Sequence, residues 1–155
     1  MILNSSRFSH LLRSVVRAAS VAAATILASP ILAQETVAAA AILGEWRGES
    51  LCTNLALAPA CKDERIRYVF TAVKDTTPRF HLVAEKLVGG TYQRMYEIDL
   101  DHSPANNRWE HEFNTSQLKL RWEYRVEGPA LSGAVVVRHS GEVLRKVTAR
   151  RWRPR

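Results

Sequence analysis

The chain lacks the local signatures of the common catalytic sites. No Gly-x-Ser-x-Gly elbow, no His-Glu-x-x-His pair and no phosphate-cradling glycine loop occurs in its 155 residues. That leaves hydrolase, zincin and P-loop chemistry without their usual residues. Its only adjacent glycines, Gly89-Gly90, fit a hairpin turn. There are just two cysteines, Cys52 and Cys61, and they lack the Cys-x-x-Cys spacing of a redox pair or the partners of a zinc site. No cofactor and no metal are expected. Apolar runs are short as well. The longest, Ala18 to Ala28, falls well below the ~20 residues that span a bilayer.

That run does have the surroundings of an export signal. Arg7, Arg13 and Arg17 precede it with no acidic residue among them, and Ser29-Pro30 breaks it. Ile31-Leu32-Ala33 before Gln34 reads as a cleavage site, so residues 1–33 are expected to be a cleavable signal peptide and the product to be exported, periplasmic or secreted. No cysteine stands near that site to carry a lipid. No transmembrane segment is expected after cleavage. Of the 22 basic residues three lie in the signal, leaving 19 against 15 acidic ones, a formal +4. Six of the 19 fall in the last 11 residues, a basic end rather than a basic face, and with export this argues against nucleic acid as partner. In an oxidising compartment Cys52 and Cys61 are expected to form a disulfide closing a short loop.

From Gly44 onward the hydrophobic pattern has period two. Residues 117–126 show it best: Leu118, Leu120, Trp122, Tyr124 and Val126 alternate with Gln117, Lys119, Arg121, Glu123 and Arg125. A helix would need spacings of three and four, so this is a strand with one dry and one wet face. The remaining candidates are 44–52, 64–73, 79–88, 91–100, 108–114, 130–139 and 142–152, separated by turn residues such as Gly89-Gly90, Asn106-Asn107 and Gly128-Pro129. Eight short strands in one all-β domain of about 122 residues point to an antiparallel up-and-down barrel over 44–152. An arm, residues 34–43, would precede it and a basic tail, residues 153–155, would follow.

The first strand opens Gly44-Glu45-Trp46-Arg47-Gly48 and the last closes Ala149-Arg150-Arg151-Trp152. These stretches resemble the calycin superfamily, the lipocalins and fatty-acid-binding proteins, and the chain is similar to small exported lipocalin-like proteins of bacteria. The resemblance implies that Trp46 plugs one end of the barrel with an arginine across its ring, a cation–π contact. Strand parity puts Arg151, rather than Arg150, on that face with Val147 and Ala149.

A barrel of this kind binds its ligand through inward polar groups among aromatics. Parity sets Tyr92, Arg94, Tyr96 and Ile98 on one face, Trp109, His111 and Phe113 on another, and Lys86 beside Leu82 and Ala84. Arg94, His111, Tyr96, Tyr92 and Lys86 are therefore the candidate ligand residues, and an inward arginine would hold a carboxylate. Asp99, Asp101 and His102 cluster at a turn but lack a further spaced ligand for a metal.

Three functions are compatible with these residues. One is a carrier of a small, amphipathic or anionic molecule, which requires a void among Trp109, Trp122, Tyr96 and Phe70. Another is a solid barrel with a protein partner, such as a protease inhibitor acting through Gln34 to Leu43. The third, an enzyme dependent on His111 or Asp101, has the weakest support.

Overall fold

A computed structural model describes residues 37–74 and 79–154. The signal segment 1–33, residues 34–36 of the arm and Arg155 of the tail lie outside the described residues. Eight strands follow one another: β1 (Gly44–Cys52), β2 (Glu64–Ala72), β3 (Arg79–Val88), β4 (Thr91–Ser103), β5 (Arg108–Asn114), β6 (Lys119–Glu127), β7 (Ala130–Val137) and β8 (Val143–Arg151). Each pairs antiparallel with the next, and β8 returns to β1 through Trp46↔Arg151 to Cys52↔Arg145. The result is a closed up-and-down barrel, compatible with a calycin-like fold. No helix among the described residues is long and apolar enough to cross a membrane.

Local chemistry sets the ends of the strands. Gly89 and Gly90 both take positive φ (57° and 85°), the conformation that joins β3 to β4 with the twist of the flanking strands. β6 starts at Lys119, not Gln117, because the Thr115 hydroxyl accepts from the Gln117 and Leu118 amides and folds those residues into a turn. β4 runs on to Ser103, three residues past the expected end, where it meets β5.

Eight strands enclose a space that side chains can fill. Trp46, Trp109, Tyr68, Tyr124, Phe70, Leu82 and Leu100 are all buried inside. Phe80 packs edge-on against Trp109, and Tyr68 and Phe70 edge-on against Tyr124. Large rings are accommodated where a neighbour gives way. A Cβ on Gly133 of β7 would stand 2.5 Å from the Tyr124 ring, so only glycine lets that ring lie across the strand.

Candidate ligand site

The two ends of the barrel are built differently. At one, residues 37–43 turn across the opening, with Ala39 and Ile42 buried in the core. Trp46 Nε1 donates to the Ile42 carbonyl at 2.7 Å and Trp109 Nε1 to that of Ala39 at 3.1 Å. The Arg151 guanidinium lies 4.2 Å over the Trp46 ring and donates to the carbonyls of Ala41 and Leu43. Residues 39–43, expected to form part of an arm, are instead the floor of the barrel. Their orphan carbonyls are what the tryptophans and arginine satisfy.

At the other end the floor is replaced by a polar rim. Arg145 of β8 points inward and is its hub. Its Nη1 donates to Ser50 Oγ (2.7 Å) and Glu64 Oε2 (3.0 Å), and its Nη2 to the Lys62 carbonyl (2.7 Å). Nη2 also stands 3.2 Å from Cys61 Sγ. Cys52 and Cys61 are joined in a disulfide with Cα atoms 6.0 Å apart, holding the loop between β1 and β2 against this rim. Lys86 Nζ reaches Glu64 Oε1 at 3.5 Å, half-exposed at the mouth.

Below the rim is a cavity of about 250 Å³ lined by Glu64, Tyr68, Met95, Tyr96, Trp122 and Arg145. Two flat rings of its wall, Tyr96 and Trp122, stack with centroids 5.7 Å apart, and Trp122 stacks in turn on the fully buried Tyr124 at the same spacing. Tyr68 and Tyr96 hydroxyls meet at 3.3 Å. The Tyr124 hydroxyl is fully buried beside those of Tyr68 and Tyr96. Burial pushes the Tyr68 phenol up, and those of Tyr96 and Tyr124 well above the ordinary value, since a phenolate in this interior would lose its solvation. All three therefore stay protonated near neutral pH. A hollow of about 280 Å³ on the outer wall is lined by Arg108, Glu123 and Lys146 among others, but Glu123 already holds Arg108 at 2.6 Å. The interior cavity is the more enclosed of the two.

The candidate residues divide between the two faces. Tyr96 lines the cavity and Lys86 stands at its rim. Arg94 and Tyr92 are corrected: both lie on the outer wall. β4 pairs Ala84↔Tyr96 but Glu85↔Arg94, a bulge that leaves Met95 unmatched. One extra residue reverses every side chain beyond it. Met95 takes an inward place, while Arg94 pairs with Glu97 outside. The Tyr92 ring packs outside under the guanidinium carbons of Arg67 (4.6 Å) and Arg47 (5.7 Å).

His111 keeps the inward parity but serves the backbone. β4 and β5 pair only over Asp101↔Glu110, His102↔Trp109 and Ser103↔Arg108. Beyond that fork His111 Nδ1 donates to the Asp99 carbonyl at 2.8 Å. The strands part there beside half-buried Met95, Tyr96 and Phe113. Asp99 and Asp101 do not converge with His102. They bind His81 Nδ1 (2.8 Å) and Arg79 Nε (3.1 Å) on the outer wall, while His102 Nε2 binds Asn107 Oδ1 (3.1 Å). No group of three or more His, Cys, Asp or Glu among the described residues could hold a metal.

Fold and cavity together define a closed eight-stranded antiparallel barrel with one sealed end and one chambered end. No family model matches the chain, and no curated protein matches it.

Proposed function

We propose that the protein is an exported, lipocalin-like binding protein that holds one small amphipathic molecule in the chamber beneath Arg145. The carrying observation is the cavity of about 250 Å³ among Tyr96, Trp122, Met95 and Tyr68, with a charged rim above it. Apolar walls with a few convergent polar groups are the usual makeup of a small-molecule site, though this volume falls below the ~300–1,000 Å³ range of drug-sized pockets, so only a small molecule fits. Trp109 and Phe70 are packed, and the void lies in the half of the barrel that holds Tyr96 and Trp122. The parting of β4 from β5 gives a side approach to it. An inhibitor working through residues 34–43 has less support, because residues 39–43 would have to leave the core.

Native mass spectrometry of the mature protein, purified gently from the cells that make it, tests this reading. The expected result is a reproducible extra mass that disappears on denaturation and is missing from Met95→Trp, in which the larger side chain fills the chamber. A bare polypeptide mass in the unaltered protein overturns the carrier and leaves the outer wall as the working surface.

A further inference from the structure

We infer that the chambered end of the barrel is a docking face for an anionic lipid bilayer, into which the apolar loop between β1 and β2 dips while basic residues behind it meet the headgroups. The inference concerns the outside of this end and stands whether or not the chamber holds a molecule.

The apolar side chains left in water are unevenly placed. Six large ones are exposed among the described residues, and four of them stand at the chambered end: Leu51 (41 %), Leu55 (58 %), Leu57 (38 %) and Val88 (42 %). Of the other two, Val37 begins the segment that crosses the sealed end, and the Trp152 ring packs under the Arg47 guanidinium at 4.2 Å. A connection that only reversed the chain would do so with polar turn residues. The one between β1 and β2 instead runs Leu55-Ala56-Leu57-Ala58-Pro59-Ala60.

The same loop is built to leave water. The disulfide closes it, and Thr53 ties it to β8, its amide donating to the Leu144 carbonyl (2.9 Å) and its hydroxyl to that of Val143 (2.8 Å). At the tip the Leu57 amide donates to Asn54 Oδ1 and the Ala58 amide to the Asn54 carbonyl, each at 3.1 Å. Entering lipid strips water from the backbone, and each polar group left unpaired there is costly. These two amides are already paired, so the leucines beside them enter without orphaning either.

Charge selects the partner. The four connections at this end, with the three strand residues on either side of each, hold seven basic and four acidic residues. Two of the acids are already held, Glu64 by Arg145 and Lys86, and Glu112 by Arg138 at 3.0 Å. Lys62, Arg65 and Lys119 are exposed and stand outside these pairs. An anionic bilayer gains from each Lys or Arg brought to its surface, and it receives aliphatic tips without a shape-matched pocket. A protein partner is anchored by Trp, Tyr and Arg far more than by Leu and Val.

Co-sedimentation of the mature protein with lipid vesicles tests this. It should pellet with vesicles of phosphatidylethanolamine and phosphatidylglycerol, and at least about tenfold less with phosphatidylcholine alone. Leu55→Ser with Leu57→Ser should weaken partition at least about tenfold. Lys62→Gln with Arg65→Gln should weaken it about as much on the anionic vesicles and leave the neutral ones unchanged. Val37→Ser, an exposed apolar residue removed from the opposite end, should change nothing. All five side chains are exposed, so each protein should keep the urea midpoint of the unaltered one. No pelleting with the anionic vesicles overturns the inference. So does pelleting that survives the loss of both leucines, because charge alone then carries the attraction. A dimer that forms without lipid and is lost with the two leucines assigns the face to a second copy and overturns it as well.

Discussion

The sealed end and the chambered end are walled by the same eight strands, yet they solve opposite problems. At the sealed end three side chains, Trp46, Trp109 and Arg151, each meet a carbonyl of residues 39–43, so the rings there have both packing and hydrogen bonds. At the chambered end Trp122 and Tyr96 stack well but border a cavity. The first end is built for stability, while the second leaves contacts open that a bound molecule could make.

One substitution applied at both ends tests this difference. Trp46→Ala removes a fully buried ring and should cost ~3–5 kcal/mol in urea unfolding. Trp122→Ala, beside space already empty, should cost clearly less, ~2–3 kcal/mol, because part of the cavity term is present beforehand. Equal costs would remove the distinction.

Alkaline titration sharpens it further. The folded-state values of Tyr68, Tyr96 and Tyr124 are raised, so the unfolded chain releases those protons first. Their contribution is whole below about pH 10 and is lost as pH rises beyond it, at roughly 1.4 kcal/mol per pH unit for each group that is still protonated in the fold. Tyrosinate absorbance from these three should appear together with the loss of the far-ultraviolet strand signal. Ionisation of all three inside an intact barrel would contradict their burial.

The most local expected effect is that of the disulfide. Replacing Cys52 and Cys61 by serine opens a loop with a sequence separation of 9, which the chain-entropy estimate values at about 2–3 kcal/mol before any loss of rim contacts. Amide exchange should quicken at Ser50, Lys62 and Glu64, which Arg145 ties together, and stay unchanged at Trp46 and Ile42. Faster exchange at both ends would mean that the barrel opens as one unit.

Much of this was legible in the residues alone. The alternation of Leu120, Trp122, Tyr124 and Val126 places β6 and its dry face, and the same counting picks Arg151 rather than Arg150 for the contact with Trp46 that the calycin resemblance implies. That counting also puts Arg145 on the inner face with Val147 and Ala149, yet a basic C-terminal run draws attention to its charge instead of its parity. Arg94 and Tyr92 defeat the method for a physical reason. The unmatched Met95 follows from how β4 meets β3, and nothing local in Thr91 to Leu100 marks it. Likewise, His111 looks like a binding group until its strand is seen to part from β4, when it becomes the partner of a free carbonyl.

Strand number, strand ends and the dry face of most strands were determined by the sequence, because they depend on side-chain period and turn chemistry over a few residues. Which end is sealed, where the chamber lies and which polar groups face it were decided only by the tertiary structure. Those depend on register between strands far apart in the chain, and a single unmatched residue exchanges inside for outside.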